Sequence, residues 1–176
     1  MVLAKCKECG RVILRPGRDV THAIDLAVTQ LGIKEETGHN DGIPADRYMR
    51  GDELAWCAGF VLWCYDESDD PDIPETPSDY WKLRNVDTME KDLKSRGLWI
   101  GPSVIPAPND LIFYRNRGSS DSGSGRHVGI IERVSDGMVY TIEGNLGDEV
   151  RRSSAELESD RVTGYGRPAR YAIARS

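Results

Sequence analysis

The stretch Asp52 to Tyr65, DELAWCAGFVLWCY, constrains the chain more than any other. Its acidic opening is followed by an apolar body in which Cys57, Phe60, Val61 and Cys64 recur at helical spacing, so it reads as a buried helix entered near Cys57. A helix of this kind needs layers packed around it. It also puts a cysteine in its first turn, where unpaired backbone N–H groups and about half a positive elementary charge favour thiolate over thiol. Cys57 is therefore the candidate nucleophile, although free cysteine is among the most buried residue types and the helix alone leaves packing open. Cys64, two turns further on the same face, is read as a packing residue.

A chain of 176 residues suits one domain, or one domain with an appendage. Its net charge of -6 lacks the basic excess that nucleic-acid binding needs, and no stretch is long and apolar enough for membrane insertion. Peptides or small molecules are the expected partners. The N-terminus MVLAKCKECGRV has no signal-peptide core, so synthesis in a cytoplasm without a signal peptide is expected. Four cysteines, two in a Cys-x-x-Cys and two on one helix, do not form a secreted disulfide framework.

Cys6 and Cys9 resemble one knuckle of a zinc site, but a structural zinc wants four protein ligands. His22 and His39 do not fall at the spacing that would complete the set. The alternatives are a metal shared between chains, a redox pair, or two idle thiols. Residues 1–18 are read as an appendage ending at Arg15-Pro16-Gly17, and residues 19–176 as the main domain. Asp19 or Thr21 is expected to cap a helix with apolar positions Ala23, Ile24, Ala27, Val28 and Leu31, stopped by Gly32. Residues 34–52 read as a solvated connector; Asn40, Asp41 and Asp46 lack the spacing of a calcium loop. After the central helix, DESDDPDIPETPSD is expected as an exposed crossover, and Thr88 to Gly97 as a short helix capped by Thr88. Strands follow: Leu111 to Tyr114, Val128 to Val134, Met138 to Glu143, Val150 to Ser153, and a piece near Tyr165 to Ala172. Helices first and strands after is the α+β pattern. Gly118 to Gly125 is expected to form a flexible loop before His127.

Of the three histidines, only His127 opens an otherwise apolar strand. A three-residue hairpin loop, Ser135-Asp136-Gly137, would oppose Val134 to Met138, Gly129 to Glu143 and His127 to Asn145. His127, Gly129, Glu143 and Asn145 then share one face, and Val128, Ile130, Val134, Tyr140 and Ile142 the other. Opposed residues lie about 4.5–5.5 Å apart at Cβ, within reach of a hydrogen bond to the imidazole. A helix-start thiol, an imidazole, and a carboxylate plus amide beside it form a nucleophile, a base and an orienting group.

The segments Ala55-Trp56-Cys57-Ala58-Gly59-Phe60-Val61, Pro108-Asn109-Asp110-Leu111-Ile112-Phe113, Arg126-His127-Val128-Gly129-Ile130-Ile131 and Tyr140-Thr141-Ile142-Glu143-Gly144-Asn145 resemble the CHAP family. These are papain-like cysteine amidohydrolases and peptidases that cut peptidoglycan, and the likeness, over residues 20–172, is to compact bacterial and phage members. The resemblance implies a papain-like CHAP or NlpC/P60-type fold, with N-terminal helices packed on a C-terminal antiparallel sheet. It implies Cys57 as nucleophile, His127 as base, Glu143 as the residue orienting His127, and Asn145 as a further support; Trp56, beside the nucleophile, is the expected substrate contact. Trp56 stands where many members have Gln, and the spacing of Asp41, Asp46 and Asp52 does not fit the calcium loop of others. No cofactor is therefore expected at the site, and zinc only at Cys6 and Cys9. The expected function is peptidoglycan amide hydrolysis, endolysin-like or virion-associated, at the wall after release by holin, virion or secretion machine. The alternatives are a cysteine protease or amidase toxin acting on a protein, and a catalytically idle module of a phage or secretion assembly. Residues 1–18, outside the family motif, are read as an attachment or targeting element that an assembly partner would hold.

Deleting residues 1–18 should leave one cooperative unfolding transition, because no expected core element of the main domain starts before Val20. Calorimetry of the truncated chain checks this, and loss of the transition would move the boundary.

Overall fold

The computed structural model describes residues 2–5, 12–15, 22–68, 80–115 and 126–168. Two short strands, β1 (Val2–Lys5) and β2 (Val12–Arg15), pair antiparallel. Cys6 and Cys9, the expected caps Asp19 and Thr21, most of the acidic crossover and the Gly118 to Gly125 loop lie outside the described residues.

The main unit begins with α1 (Ala23–Thr29), α2 (Ile43–Tyr48) and α3 (Cys57–Asp66). A 3-10 turn (Tyr80–Arg84) leads into α4 (Val86–Ser95). The strands β3 (Trp99–Ile100), β4 (Leu111–Tyr114), β5 (His127–Ser135), β6 (Met138–Glu143), β7 (Arg151–Glu156) and β8 (Val162–Gly166) follow. They form one six-stranded antiparallel sheet in the order β3-β8-β4-β5-β6-β7. The architecture is the expected α+β.

Helix α3 is apolar nearly all round because it is central. It packs against α1, α2, α4 and the sheet, and Cys57, Ala58, Gly59, Phe60, Val61, Leu62, Cys64 and Tyr65 are all buried. The sheet face toward it carries Leu111, Phe113, Val128, Ile130 and Ile142. The opposite face has its own cluster, Ile112, Tyr114, Ile131, Val139, Val162 and Tyr165. Gly59 admits α2 to this core: a Cβ there would lie 2.6 Å from the Tyr48 carbonyl oxygen and 2.5 Å from the Met49 sulfur.

Asn109 ties the layers together. Its Oδ1 accepts from the Ile24 backbone N–H (3.2 Å), its N–H donates to the Ile131 carbonyl (2.8 Å), and its carbonyl accepts from the Tyr65 hydroxyl. Asp110 beside it takes a two-pronged ion pair from Arg167 (2.9 and 2.7 Å). The two outer strands resist further pairing in different ways: β3 is two residues long, and β7 opens with the exposed Arg151 and Arg152.

Several expectations need correction. Helix α1 is closed by the His22 backbone N–H donating to the Asp25 carboxylate (2.9 Å), a capping box with a residue type outside the usual set. Helix α4 starts earlier than Thr88, because Asn85 is the cap and its side chain accepts from the Thr88 N–H (3.1 Å). The connector 34–52 contains α2, entered through Pro44 at its first turn, and its preceding loop is tied by Asp41, which accepts from Glu36 N–H, Thr37 N–H and the Thr37 hydroxyl.

The hairpin differs too. Asp136 (φ 53°) and Gly137 (φ 74°) form a two-residue turn with both central residues left-handed, so Ser135 faces Met138 and Val134 faces Val139. That alone would slip every side chain toward the start of β5 to the wrong face. A bulge at Glu132 corrects it: Arg133 faces Tyr140, but Ile131 faces Thr141 and Ile130 faces Ile142. The expected alignment therefore holds around Gly129 and fails near the turn. Val134 accordingly packs with the Ile131 cluster, opposite to Ile130.

Candidate active site

The site is built where the start of α3 meets the start of β5. Trp56 is the residue before the helix and Cys57 its first. Cys57 is 6% exposed, and its thiol lies beside the imidazole of His127, near enough to bear on the proton that the ring carries. His127 Nε2 lies 2.9 Å from Glu143 Oε2, so Nδ1 is the ring nitrogen that the carboxylate does not occupy. The His127 side chain keeps 15% of its surface exposed, so an incoming group can reach the ring edge, whereas Glu143 keeps 1%.

A carboxylate this deeply buried must be paired and hydrogen bonded to be tolerated. Glu143 is met on three sides. Tyr114, from β4, donates its hydroxyl to Oε1 (2.9 Å), Thr141 donates to the same oxygen (2.6 Å), and His127 takes Oε2. Tyr114 is also the cross-strand partner of His127, with ring centroids 6.0 Å apart. Gly129 provides the space: a Cβ there would stand 2.6 Å from Glu143 Cγ, so the glutamate crosses to the imidazole over a residue without a side chain. The start of β5 is held from the helical side by Arg126, which donates to Asp87 (3.0 Å) and to Glu90 of α4.

The electrostatics follow from this cage. Burial works against a charged imidazole, but the hydrogen bonds and charges of Cys57 and Glu143 outweigh it, and the His127 pKa is raised to about 10. Burial likewise works against the Glu143 carboxylate, yet His127, Thr141 and Tyr114 together hold its pKa below the usual value. Cys64 is different: burial alone pushes its thiol well up, as suits a core residue.

The structure brings Cys57, His127 and Glu143 together; it does not bring Asn145 to the imidazole. Strand β6 ends at Glu143, Asn145 is left-handed (φ 57°), and its amide donates to Asn40 Oδ1 (3.0 Å). Trp56 is fully buried, stacked on Tyr48, with its indole N–H on Glu35 (2.7 Å), so it is a core residue with no face for substrate. Cys6 and Cys9 lie outside the described residues, among which no group of three or more His, Cys, Asp or Glu side chains is arranged to hold a metal ion. Tyr114 and Thr141 are not among the site residues that the sequence suggests, and Gly129, placed there opposite Glu143, has no role assigned to it. Period-2 alternation in β4 and β6 places Tyr114 and Thr141 on the face of His127 and Glu143, which is the signal that finds them.

A thiol beside an imidazole that is paired with a caged carboxylate is an arrangement that can carry nucleophilic chemistry. The CHAP domain family model matches residues 49–145, more than half of the chain, and the chain belongs to the CHAP family. Its fold is accordingly the papain-like one. Among solved structures it is similar to Ly7917, seen with the hydrolyzing product of MDP, at 18% identity over 42% of this chain and 33% of that one, with a TM-score of 0.34. It is also similar to a lipoprotein-like NLP/P60 family protein of Staphylococcus aureus subsp. aureus Mu50, at 17% identity over 86% of this chain and 44% of that one, with a TM-score of 0.39. The chain thus spans about a third of Ly7917 and less than half of the staphylococcal protein. No curated protein matches it. Among the described residues no helix is long and apolar enough to cross a membrane.

The raised His127 pKa has a consequence for stability. The folded value of about 10 exceeds the unfolded value near 6.5, so the contribution is whole below about pH 6.5 and drains as pH rises toward 10. Glu143→Gln removes one of the groups holding the proton, and the imidazole pKa, followed by NMR, should fall. The alkaline loss of thermal stability should shrink with it. Gly129→Ala should lower the same pKa by displacing the glutamate, and an unmoved titration in both variants would show that Glu143 does not govern His127.

Proposed function

We propose that the protein is a peptidoglycan hydrolase that cleaves an amide or peptide bond through a Cys57 thiolate. The observation that carries the reading is the His127 imidazole paired with the buried Glu143 carboxylate and beside the Cys57 thiol in a chain of the CHAP family. His127 Nδ1 takes the thiol proton, and Glu143 stabilises the resulting imidazolium. The thiolate attacks the carbonyl carbon, and the oxyanion that forms faces the backbone N–H groups at the start of α3, beginning with that of Cys57. The imidazolium then protonates the leaving amine as the carbon–nitrogen bond breaks, leaving a thioester on Cys57. Water, deprotonated by His127, hydrolyses the thioester and restores the thiol.

With a net charge of -6 the chain has no general attraction to an anionic wall, so affinity must come from local contacts with the peptide. The test is digestion of purified peptidoglycan with mass spectrometry of the products. New amino termini without lactyl ends mean an endopeptidase, and free lactyl groups mean an amidase acting at the sugar. Cys57→Ala should abolish either product while leaving the thermal transition in place, since the substitution removes only a small buried group. No product from the native chain, with Cys57 nonetheless reactive, would turn the reading to a protease acting on a protein. An unreactive Cys57 would favour an idle structural module.

A further inference from the structure

We propose that Glu35 and Trp56 are positioning residues for the nucleophile, together setting the start of α3 against the His127–Glu143 pair. The inference rests on Cys57 as nucleophile and goes beyond it by assigning what holds Cys57 in place.

Trp56 immediately precedes Cys57, and its carbonyl accepts the first hydrogen bond of the helix, from Phe60 N–H (2.8 Å). Any shift of this residue therefore moves Cys57. Its ring is enclosed by three separate segments. Tyr48 of α2 stacks on it at 5.5 Å and 26°. Gly144, next to Glu143, lies so close that a Cβ there would be 2.8 Å from the indole Cζ3. Glu35, 6% exposed, accepts the indole N–H on Oε1 (2.7 Å).

Glu35 is itself fixed to the turn that follows β6. Its N–H donates to the Asp148 carbonyl (2.9 Å), while Gly32 and Ile33 pair with Val150 (3.0 and 2.8 Å). Its second oxygen accepts the Asn40 N–H (2.8 Å), and Asn40 in turn holds Asn145. The contacts close a ring: Glu143, Gly144 and Asn145 lead through Asp148 and Asn40 to Glu35, then to Trp56, Cys57, His127 and back to Glu143. The orienting carboxylate and the nucleophile thus lie on one closed path in which the Glu35–Trp56 hydrogen bond is a buried link. Cutting that bond frees the nucleophile's approach without touching the thiol, the imidazole or Glu143. Asn145, displaced from the imidazole, contributes here as part of the ring.

A residue that merely filled the core would affect stability alone, so the test reads the pair itself. Trp56→Phe keeps a buried ring and removes the N–H; Glu35→Leu keeps a side chain of similar bulk and removes the oxygen that accepts it. Alkylation of Cys57 by iodoacetamide is followed across acid and neutral pH, with each labelled cysteine identified by mass spectrometry and thermal midpoints measured in parallel. In the native chain Cys57 should label in the acid range, where an unassisted thiol is protonated. Each variant should label on the order of 10-fold to 10²-fold more slowly there, the scale associated with displacing a reacting group by about 1 Å. The double variant should be no slower than the slower single, because both cut the same bond.

Cys64 serves as the control. Unfolding would expose it, so slow Cys57 labelling with Cys64 still protected cannot come from a collapsed fold. Superimposable labelling profiles for native and variant chains overturn the positioning role, as do additive effects in the double variant. Native Cys57 that labels no faster than a free thiol instead overturns its assignment as nucleophile, which separates the two failures.

Discussion

The contact on which the site depends is the one between His127 Nε2 and Glu143 Oε2, made across Gly129 inside the sheet. A buried carboxylate is costly unless its oxygens are occupied, and here they are occupied by three side chains from three strands. Tyr114 comes from β4, His127 from β5 and Thr141 from β6. The acid can lie there only if those strands keep their register, and the imidazole can keep its proton only if the acid lies there. Register, burial and acid–base chemistry are thus one problem with one solution.

This explains the irregular β5–β6 hairpin. An Asp-Gly turn is the favoured closure for a right-twisted hairpin, but its register would place Glu143 one residue out of step with Gly129. The bulge at Glu132 absorbs the difference. It lies between the turn, whose geometry is set by local backbone preference, and the site, whose geometry is set by the carboxylate cage. Glu132 itself points to solvent chemistry, pairing with Arg152 of β7 (2.8 Å), so the extra residue has a partner as well as a place.

What was legible in the chain was whatever depends on periodicity. The α3 pattern, the alternation in β4 and β6, and the gathering of Cys57, His127 and Glu143 follow from apolar spacing and residue chemistry. What was not legible depends on where a pattern stops. A three-residue loop was expected and a two-residue turn was found, yet the register at Gly129 came out as expected because the unforeseen bulge offset the wrong turn. Near Val134, before the bulge acts, the same reading puts the side chain on the wrong face. Asn145 failed for a related reason: the alternation predicts its face only while the strand continues, and β6 ends two residues earlier. Trp56 failed because proximity in sequence to a reactive cysteine says nothing of direction, and its indole points inward to Glu35. Helix caps were misplaced because His22 and Asn85 do their work through local geometry that composition barely marks.

The cage also bears on why a carboxylate occupies position 143 at all. Thr141 and Glu143 sit in a strand whose neighbours Val139 and Ile142 are fully buried, so an apolar residue at 143 would pack without any electrostatic demand. Replacing buried ion pairs with hydrophobic residues is often neutral or stabilising, which makes this pair a poor device for stability. Its physical effect is elsewhere. The acid, itself held charged by His127, Thr141 and Tyr114, keeps a proton on His127 despite burial, beside the thiol at the start of α3. A core built for packing alone would not need the tyrosine and threonine hydroxyls, the bare Gly129 or the bulge; a core that must hold charge beside a thiol needs each of them.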